Sequence, residues 1–204
     1  MMGMHEIIWH GRGGQGVVLA AQILAEAAYI QGFPGVTSAP TFGPERRGAP
    51  LTASTRISDR TVRTFSQVAS ADIAVILDES LFDAATSEGR IKENGLVIVN
   101  SMLTPQQIGT DGNFSVATVD AIGIAREYHL SMGGSPVVNT PLLGALSMAS
   151  GLVSLESIEK GIKKKMSRSK ASSNFQAIRT AFERTKVLRA RNSKPEIQDS
   201  GEKR

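Results

Sequence analysis

The glycine-rich segment near the N-terminus contains the residue types best suited to binding a ligand. Glycines stand at positions 11, 13, 14 and 16. Glycine permits positive φ and lets a ligand approach the backbone closely, and the free amides at a helix N-terminus attract anions. The spacing also fits the G-x-G-x-x-G turn of dinucleotide-binding folds. We therefore predict an anion- or cofactor-binding turn made of Gly11, Arg12, Gly13, Gly14, Gln15 and Gly16.

The sequence disfavours an ordinary NAD site at this turn. Dinucleotide folds usually place an Asp or Glu after the second strand, where it holds a ribose hydroxyl. Residues 32–42, which follow the first predicted helix, contain no acid, and the first acid beyond them is Glu45. Two alternatives to the anion site stay open. One is a free-standing, Rossmann-like nucleotide-binding protein, and the other is a tight turn that binds nothing.

A second charged segment, residues 42–50, is rich in proline and glycine and carries one acid and two arginines. Prolines and glycines are typical of a stiff loop. Arginine suits bidentate contact with a carboxylate or a phosphate. An ordinary solvated charge cluster is the alternative to a functional role. We predict a loop that contacts the substrate or another subunit, comprising Gly43, Glu45, Arg46, Arg47 and Gly48.

Polar residues follow the apolar runs that we predict to be buried strands. Asp78, Asn100 and Asp120 each stand directly after such a run. In open α/β sheets, ligands bind outside the carboxyl ends of the strands. A helix cap or turn position is the alternative for each residue, because Asp and Asn favour both. The predicted rim of the site consists of Asp78, Asn100 and Asn139, with Asp120 placed in the same manner.

The elements that must position these residues follow from hydrophobic patterning. Apolar runs predict strands near residues 6–10, 36–41, 73–77, 96–99 and 115–119, and a hairpin pairs 51–57 with 61–65. Helices are predicted at 17–31, 81–88, 121–129 and 142–151 (capped by Thr140), from Ser154 to about 165, and from Ser172 or Ser173 to about 189. We predict a three-layer α/β sandwich with a mostly parallel central sheet, a Rossmann-like glycine turn after the first strand, and a β-hairpin.

Composition excludes several classes of function for this chain. The chain has 204 residues, a net charge of +4, 41% apolar residues and no cysteine, which predicts one domain over residues 1–190 and a disordered tail over 191–204. Without cysteine, this chain supplies no thiolate nucleophile and no iron–sulfur ligand. With 5% aromatic residues, it has little capacity for stacking nucleic-acid bases. We find no catalytic constellation, metal-ligand spacing, signal peptide or membrane span, and we expect a cytoplasmic protein.

Two motifs resemble one known family. Residues 10–18 and 42–50 are similar to the corresponding stretches of the gamma subunit of 2-oxoacid:ferredoxin oxidoreductases of the pyruvate synthase type. Further matches are residues 55–59, Asp78, residues 99–101, residues 139–145 and Asn174, so that the resemblance covers about residues 4–185. One departure lies at residues 181–183, where the family pattern has a glycine.

The resemblance implies a subunit that is inactive alone. Enzymes of this family oxidatively decarboxylate a 2-oxoacid to an acyl-CoA and CO2, and they pass the electrons to ferredoxin. Thiamine diphosphate and Mg2+ lie between the alpha and beta subunits, and iron–sulfur clusters lie in the beta and delta subunits or their fused equivalents. The gamma subunit covers the active site and contacts coenzyme A, and on this resemblance the amides of residues 11–16 would face the coenzyme A phosphates.

The same motifs bear on the substrate. Arg12 and the sequence of residues 46–50 resemble the enzymes for pyruvate or branched-chain 2-oxoacids more than those for 2-oxoglutarate. The smaller subunit of an indolepyruvate-type oxidoreductase is a related alternative. The partners implied are the alpha and beta subunits, a delta subunit where it is a separate chain, and ferredoxin through the complex, with no nucleic acid and no membrane.

Overall fold

The computed structural model describes residues 3–40, 47–63, 66–109 and 114–191. Its centre is a seven-stranded sheet with the strand order β2-β3-β1-β4-β5-β6-β9. The strands are β1 (Met4–Arg12), β2 (Gly35–Pro40), β3 (Pro50–Ser58), β4 (Ala71–Ile76), β5 (Ile91–Asn100), β6 (Ser115–Val119) and β9 (Lys186–Leu188), and β7 (Ser131–Met132) pairs with β8 (Ser135–Pro136) apart from the sheet. The four central strands are parallel, and β3 and β9 flank them in the antiparallel direction. The predicted α/β class with a largely parallel centre is confirmed.

One face of the sheet carries the main core and most of the helices. The helices are α1 (Val17–Gln31), α2 (Phe82–Thr86), α3 (Pro105–Ile108), α4 (Ala121–Glu127), α5 (Asn139–Ser150), α6 (Leu155–Lys165) and α7 (Arg168–Arg184), and a short 3-10 turn spans Glu79–Leu81. The alanine-rich helix α1 is buried between the sheet and α6. Helix α5 packs closely on α7 at Gly144. A Cβ at this position would lie 2.0 Å from the carbonyl oxygen of Ile178. Glycine at this crossing is therefore required by space.

The opposite face of the sheet has a thinner cover. The 3-10 turn and α2 pack on apolar residues of β4 and β5, which form a second, smaller core. On β1 and β3 the same face carries polar side chains, among them Glu6, His10 and Arg56. The third layer of the sandwich is therefore short and covers the β4–β5 half of the sheet.

The first arm of the predicted hairpin, residues 51–57, pairs with other strands in the structure than the predicted second arm. Strand β3 pairs with β2 and β1 on its two sides, both antiparallel. Residues 61–63, the start of the predicted second arm, lie outside any strand, and residues 64 and 65 fall outside the described residues. The predicted pairing of residues 51–57 with 61–65 was wrong because β-branched residues favour strands only where a neighbouring edge is free to pair, and both edges of β3 are already paired. The structure does contain an antiparallel hairpin, formed by β7 and β8.

Three helix boundaries also differ. Helix α7 begins at Arg168 after the N-cap Ser167, earlier than predicted, and ends at Arg184. The end of the predicted helix is instead the short edge strand β9. Helix α5 begins at Asn139, so the predicted cap Thr140 lies inside the helix, where its hydroxyl donates to Asn174. The predicted tail lies outside the described residues apart from Arg191.

Candidate functional site

A groove of about 1660 Å³ opens at the carboxyl edge of the parallel strands. The glycine turn and the first turn of α7 both line this groove. Its other walls come from the segments that follow β4, β5 and β6, from the β7–β8 hairpin and from the first residue of α5. The strand order places the groove beside β1, whose neighbours β3 and β4 belong to opposite halves of the sheet. Such crevices at strand carboxyl ends are where α/β sheets bind ligands.

The glycine turn is closed by its own hydrogen bonds. The Arg12 amide donates to the side-chain oxygen of Gln15 at 2.8 Å, and the Gln15 amide donates to the Arg12 carbonyl at 3.0 Å. Gly14 has φ of 95° and Gly16, the N-cap of α1, has φ of 78°. A Cβ on Gly16 would also lie 2.5 Å from Nδ2 of Asn139. Only glycine satisfies both the conformation and the space at position 16.

The amides of the turn divide into two groups. The Gly13 amide donates to Ala49 at 2.9 Å and the Gly48 amide donates to Gly13 at 3.1 Å, so this part of the turn is joined to the segment before β3. The amides with no acceptor among the described residues are those of Gly14, Gly16, Val17 and Val18. Because no acidic residue lies in the first turn of α1, its N-terminus can receive an anion.

Two residues of the predicted turn lie away from the groove. Gly11 is buried within β1, where a Cβ would lie 2.5 Å from Cγ2 of Val17, so its role is to let α1 pack against the strand. The Arg12 guanidinium donates to Asp78 at 2.8 Å, to Ser80 at 2.8 Å and to a loop carbonyl at 3.2 Å. Arg12 therefore holds the turn to the end of β4 and is already neutralised.

Asp78 stabilises the glycine turn by pairing with Arg12. It caps the 3-10 turn by accepting from the Ser80 amide at 3.1 Å and pairs with Arg12. Partial burial disfavours the charged carboxyl, but the hydrogen bonds from Ser80 and Arg12 outweigh this effect and lower the pKa of Asp78. The carboxylate is therefore ionised at neutral pH and committed to the protein.

Arg47 is the arginine that remains available at the glycine turn. It forms an isolated bridge with Gly13, and its Cγ lies 3.9 Å from the position that a Cβ on Gly14 would take. Its guanidinium lies 3.4 Å from the equivalent position on Gly133, across the groove on the β7–β8 hairpin. Among the described residues, no carboxylate lies within 4.0 Å of it. Three residues of the predicted contact loop, Gly43, Glu45 and Arg46, lie outside the described residues, while Gly48 adjoins Arg47 with φ of 82°.

The strand-end residues line the groove, but Asn100 and Asp120, like Asp78, are engaged in structural hydrogen bonds. Asn100 donates to the Leu77 carbonyl at 2.9 Å and accepts from the Ala121 amide at 3.0 Å, which joins β4, β5 and α4. Asp120 caps α4 by accepting from the Gly123 amide at 2.7 Å. These contacts account for an amide and an acid at these positions without any ligand.

Asn139 was predicted at a strand end but is the first residue of α5, and it differs from the three acidic and amide residues above. It is 2% exposed and lines the groove. Its Nδ2 donates to the Gly16 carbonyl at 3.0 Å, whereas its Oδ1 has no hydrogen-bond partner among the described residues. A buried acceptor without a partner is uncommon and costly, so this atom marks a place where a donor belongs.

Sequence reasoning missed three cations on the groove, Arg126, Lys165 and Lys170. The Lys160 and Lys163 ammonium groups pair with Glu156 and Glu159, one helical turn earlier, while the residue one turn before Lys165 is a glycine. None of the three pairs with a carboxylate in the part of the chain that the structure describes. The sequence signal that could have identified Lys165 is the absence of an acid four residues before it, where Lys160 and Lys163 have one.

Exposed apolar side chains stand at the rim of the same groove. Met102 is 83% exposed and Met132 is 62% exposed, and Leu103 and Ile122 are also exposed. The described residues contain no group of three or more side chains that could hold a metal ion. None of their helices is long and apolar enough to cross a membrane. The groove thus combines open amides, unpaired cations and an apolar rim.

Comparison with known proteins identifies relatives over nearly the whole chain. Residues 6–184 match the family model described as pyruvate ferredoxin/flavodoxin oxidoreductase. The chain is 45% identical over 187 residues to the pyruvate/ketoisovalerate oxidoreductases common subunit gamma of Thermococcus litoralis, covering 90% of this chain and 98% of the relative. It is 44% identical over 183 residues to the pyruvate synthase subunit PorC of Methanothermobacter marburgensis, covering 90% and 98% of the two chains.

A solved structure agrees with this assignment. The pyruvate oxidoreductase subunit PORC of Thermotoga maritima superposes with a TM-score of 0.77 at 36% identity, covering 91% of this chain and 98% of that one. A 2-oxoglutarate:ferredoxin oxidoreductase from Magnetococcus marinus, at 19% identity and a TM-score of 0.70, shares the fold over 88% of this chain and 30% of its own.

Proposed function

Because the chain belongs to the pyruvate ferredoxin/flavodoxin oxidoreductase family, we propose that it is the gamma subunit of a multisubunit 2-oxoacid:ferredoxin oxidoreductase. The complex converts pyruvate or a branched-chain 2-oxoacid and CoA to an acyl-CoA and CO2, and two electrons pass to ferredoxin. The relatives support this proposal over an indolepyruvate-type subunit and over a free-standing nucleotide-binding protein, because their names describe subunits of pyruvate and ketoisovalerate oxidoreductases.

The role within that complex is to bind coenzyme A. A subunit common to a pyruvate and a ketoisovalerate oxidoreductase, as the Thermococcus relative is named, serves something that the two reactions share, and CoA is a shared substrate. This chain has no cysteine to hold an iron–sulfur cluster. On the resemblance to the family, thiamine diphosphate, Mg2+ and the clusters belong to the alpha, beta and delta partners, and the apolar rim of the groove is the surface that a partner would cover.

The observation that carries this role is the open anion site beside an arginine, Arg47, that has no carboxylate partner among the described residues. The amides of Gly14, Gly16, Val17 and Val18 have no acceptor among the described residues, and the Arg47 side chain passes beside Gly14 toward Gly133. Backbone amides and a guanidinium together suit a pyrophosphate, which offers several acceptor oxygens. The CoA pyrophosphate would bind here, with Arg47 rather than Arg12 supplying the charge.

The test is Arg47→Ala in the assembled complex. Losing a charge-assisted contact to phosphate should raise the KM for CoA about tenfold or more, while the KM for the 2-oxoacid changes little. Lys163→Ala is the matched control, because Lys163 pairs with Glu159 outside the groove and its loss should leave the KM for CoA unchanged. An unchanged KM for CoA in the Arg47 variant would rule out this role.

A further inference from the structure

Asn94 is followed by Gly95, and this pair of residue types occurs at no other position in the chain. The two residues belong to an insertion in β5. Strand β4 pairs with β5 at Ile91 and next at Leu96, while β4 itself advances by only two residues, so residues 92–95 interrupt the ladder. Asn94 has φ of 60°, which asparagine adopts more readily than most residues. The pair therefore lies in a tight turn between two regular parts of the strand.

The side chain of Asn94 is open to solvent. It is exposed and makes no hydrogen bond to any residue that the structure describes. The other asparagines of the described residues are between 2% and 7% exposed, and each donates to a main-chain carbonyl: Asn100, Asn139 and Asn174. Each of these three is followed by a residue that has a side chain. Among the four, an exposed amide and a following glycine coincide only at Asn94.

An asparagine in this setting reacts with its own main chain, which is one reason why asparagine is thermolabile. The nitrogen of the next residue attacks Cγ of the asparagine and forms a new C–N bond. The bond from Cγ to the amide nitrogen breaks, and that nitrogen leaves as ammonia, which carries the proton lost by the attacking nitrogen. A Cβ on the next residue crowds this attack, and glycine has none. Water then opens the resulting five-membered imide.

We propose that Asn94 is a site of spontaneous deamidation. Addition of water at the side-chain carbonyl carbon of the imide yields aspartate, and addition at the main-chain carbonyl carbon yields isoaspartate. The net reaction consumes one water, releases one ammonia and changes no oxidation state, so solvent is the only co-reactant. The formal net charge of the chain falls by one from +4. This inference is independent of the proposed function.

The turn lies at the end of β5 that is remote from the groove. From Leu96 to Asn100 the strand pairs regularly with β6, and Asn100 lines the groove. Four residues of strand span about 13 Å, and Asn94 lies beyond Leu96 on the far side. A partner docked on the apolar rim of the groove does not by itself cover this turn. We therefore expect the reaction to proceed in the assembled complex.

The two products should affect the sheet differently. The turn is packed against its surroundings at Gly95, where a Cβ would lie 2.7 Å from Cγ2 of Ile91 and 3.1 Å from the Asp72 carbonyl oxygen. Lys92, in the same turn, pairs with Asp72 and Glu6. Isoaspartate adds one carbon to the main chain of this turn, whereas aspartate keeps the original main chain. Isoaspartate should therefore destabilise the pairing of β4 with β5, and aspartate should change it little.

The experiment incubates the assembled complex in a mildly alkaline buffer, which favours attack by the main-chain nitrogen, and follows each asparagine by peptide mapping with mass spectrometry. We expect Asn94 to convert at least about tenfold faster than Asn100, Asn139 and Asn174. Conversion that is no faster than at these three, or no conversion, would overturn the proposal. The urea-unfolded chain is the reference. If Asn94 converts there but not in the complex, the folded turn protects it and the proposal also fails.

Two variants identify the products and their effects. Asn94→Gly removes the reacting amide but keeps a residue that adopts positive φ, so the peptide that contains residue 94 should form no acidic product. Asn94→Asp supplies the charge without the added main-chain carbon, so it should unfold in urea at the midpoint of the fresh parent. The aged parent, which contains isoaspartate, should unfold at a lower urea concentration. Equal midpoints for the aged parent and Asn94→Asp would refute the effect of isoaspartate.

Discussion

On the thinly covered face of the sheet, Glu6 accepts from Arg56 at 3.0 Å and from Lys92 at 3.2 Å, and Lys92 also pairs with Asp72 at 2.9 Å. At the carboxyl edge, the cations on the groove find no carboxylate among the described residues: Arg47, Arg126, Lys165 and Lys170. The first region uses its charges to join strands β1, β3 and β5. The second keeps its charges without a carboxylate partner in the part of the chain that the structure describes.

The difference shows in the pKa of the paired groups. Burial disfavours the charged form of Lys92, but its hydrogen bonds and charge pairing with Asp72 and Glu6 outweigh this effect and raise the pKa of Lys92. Such a network contributes to stability and offers nothing to a ligand. Unpaired cations around one groove repel one another and gain their compensation only from an anion. Charge pairing therefore separates the stabilising region from the binding region better than residue type does.

The largest expected effect comes from breaking the paired region. Glu6→Gln removes the carboxylate that faces Arg56, a residue only 3% exposed. Leaving a buried guanidinium without this carboxylate should lower the free energy of unfolding by about 3 kcal/mol, measured by urea denaturation. The KM for CoA in the assembled complex should stay unchanged. A variant as stable as the parent would show that the network is not a stabilising element.

The next prediction concerns how the free energy of unfolding depends on pH, and its residue, His10, lies on the same face of the sheet. Burial, with a smaller contribution from the charge of Arg90, lowers the pKa of His10 from 6.5 to about 4. The unfolded chain therefore binds the proton first as pH falls, so stability present above pH 6.5 is lost progressively down to pH 4. Between pH 7 and pH 5 the unfolding free energy should fall by about 2 kcal/mol. In His10→Gln this part of the pH dependence should disappear, and an unaltered profile would contradict the shift.

A smaller effect distinguishes the two arginines of the glycine turn. Arg12→Ala removes the contacts to Asp78 and Ser80, which are partly exposed, and should lower the unfolding free energy by about 1 kcal/mol. Because its guanidinium is already paired, its loss should raise the KM for CoA less than Arg47→Ala does. If Arg12→Ala raised the KM for CoA more than Arg47→Ala, the charge that binds the anion would be that of Arg12, as the sequence suggested.

The smallest expected effect is that of Lys163→Ala, which serves as the reference for substitution of Lys165. Lys163 and Glu159 form an exposed pair one helical turn apart. Lys163→Ala should therefore change the unfolding free energy by about 0.5 kcal/mol or less, as measured by the same denaturation. A comparable or larger change on Lys165→Ala would mean that Lys165 has a structural partner, which would weaken the contrast between the two regions.

The sequence predicts those parts of the molecule that depend on local pattern. The strands β4, β5 and β6 follow from the apolar runs that lead to Asp78, Asn100 and Asp120, and the start of α6 follows from the N-cap Ser154. The edge strand β9 is only three residues long and forms because β6 has a free edge, which no local pattern reveals.

The site shows the same limit. The glycine spacing indicates an anion-binding turn, but which arginine is available depends on Asp78, a residue 66 positions after Arg12 in the chain. Likewise, the unpartnered oxygen of Asn139 arises from contacts between α5 and the start of α1. Residue types can suggest candidates for a site, whereas the assignment of each candidate to structure or to ligand depends on partners distant in sequence.

The pair of backbone hydrogen bonds between Gly13 and the segment 48–49 has a consequence for affinity. These bonds fix the backbone at Arg47 relative to the glycine turn, so the point from which its side chain extends keeps its spacing to the open amides. If the proposed pyrophosphate site is correct, the backbone of the receptor is preorganised, and only the Arg47 side chain must be ordered on binding. Loosening this backbone link, even with every contacting side chain retained, should weaken binding through entropy alone.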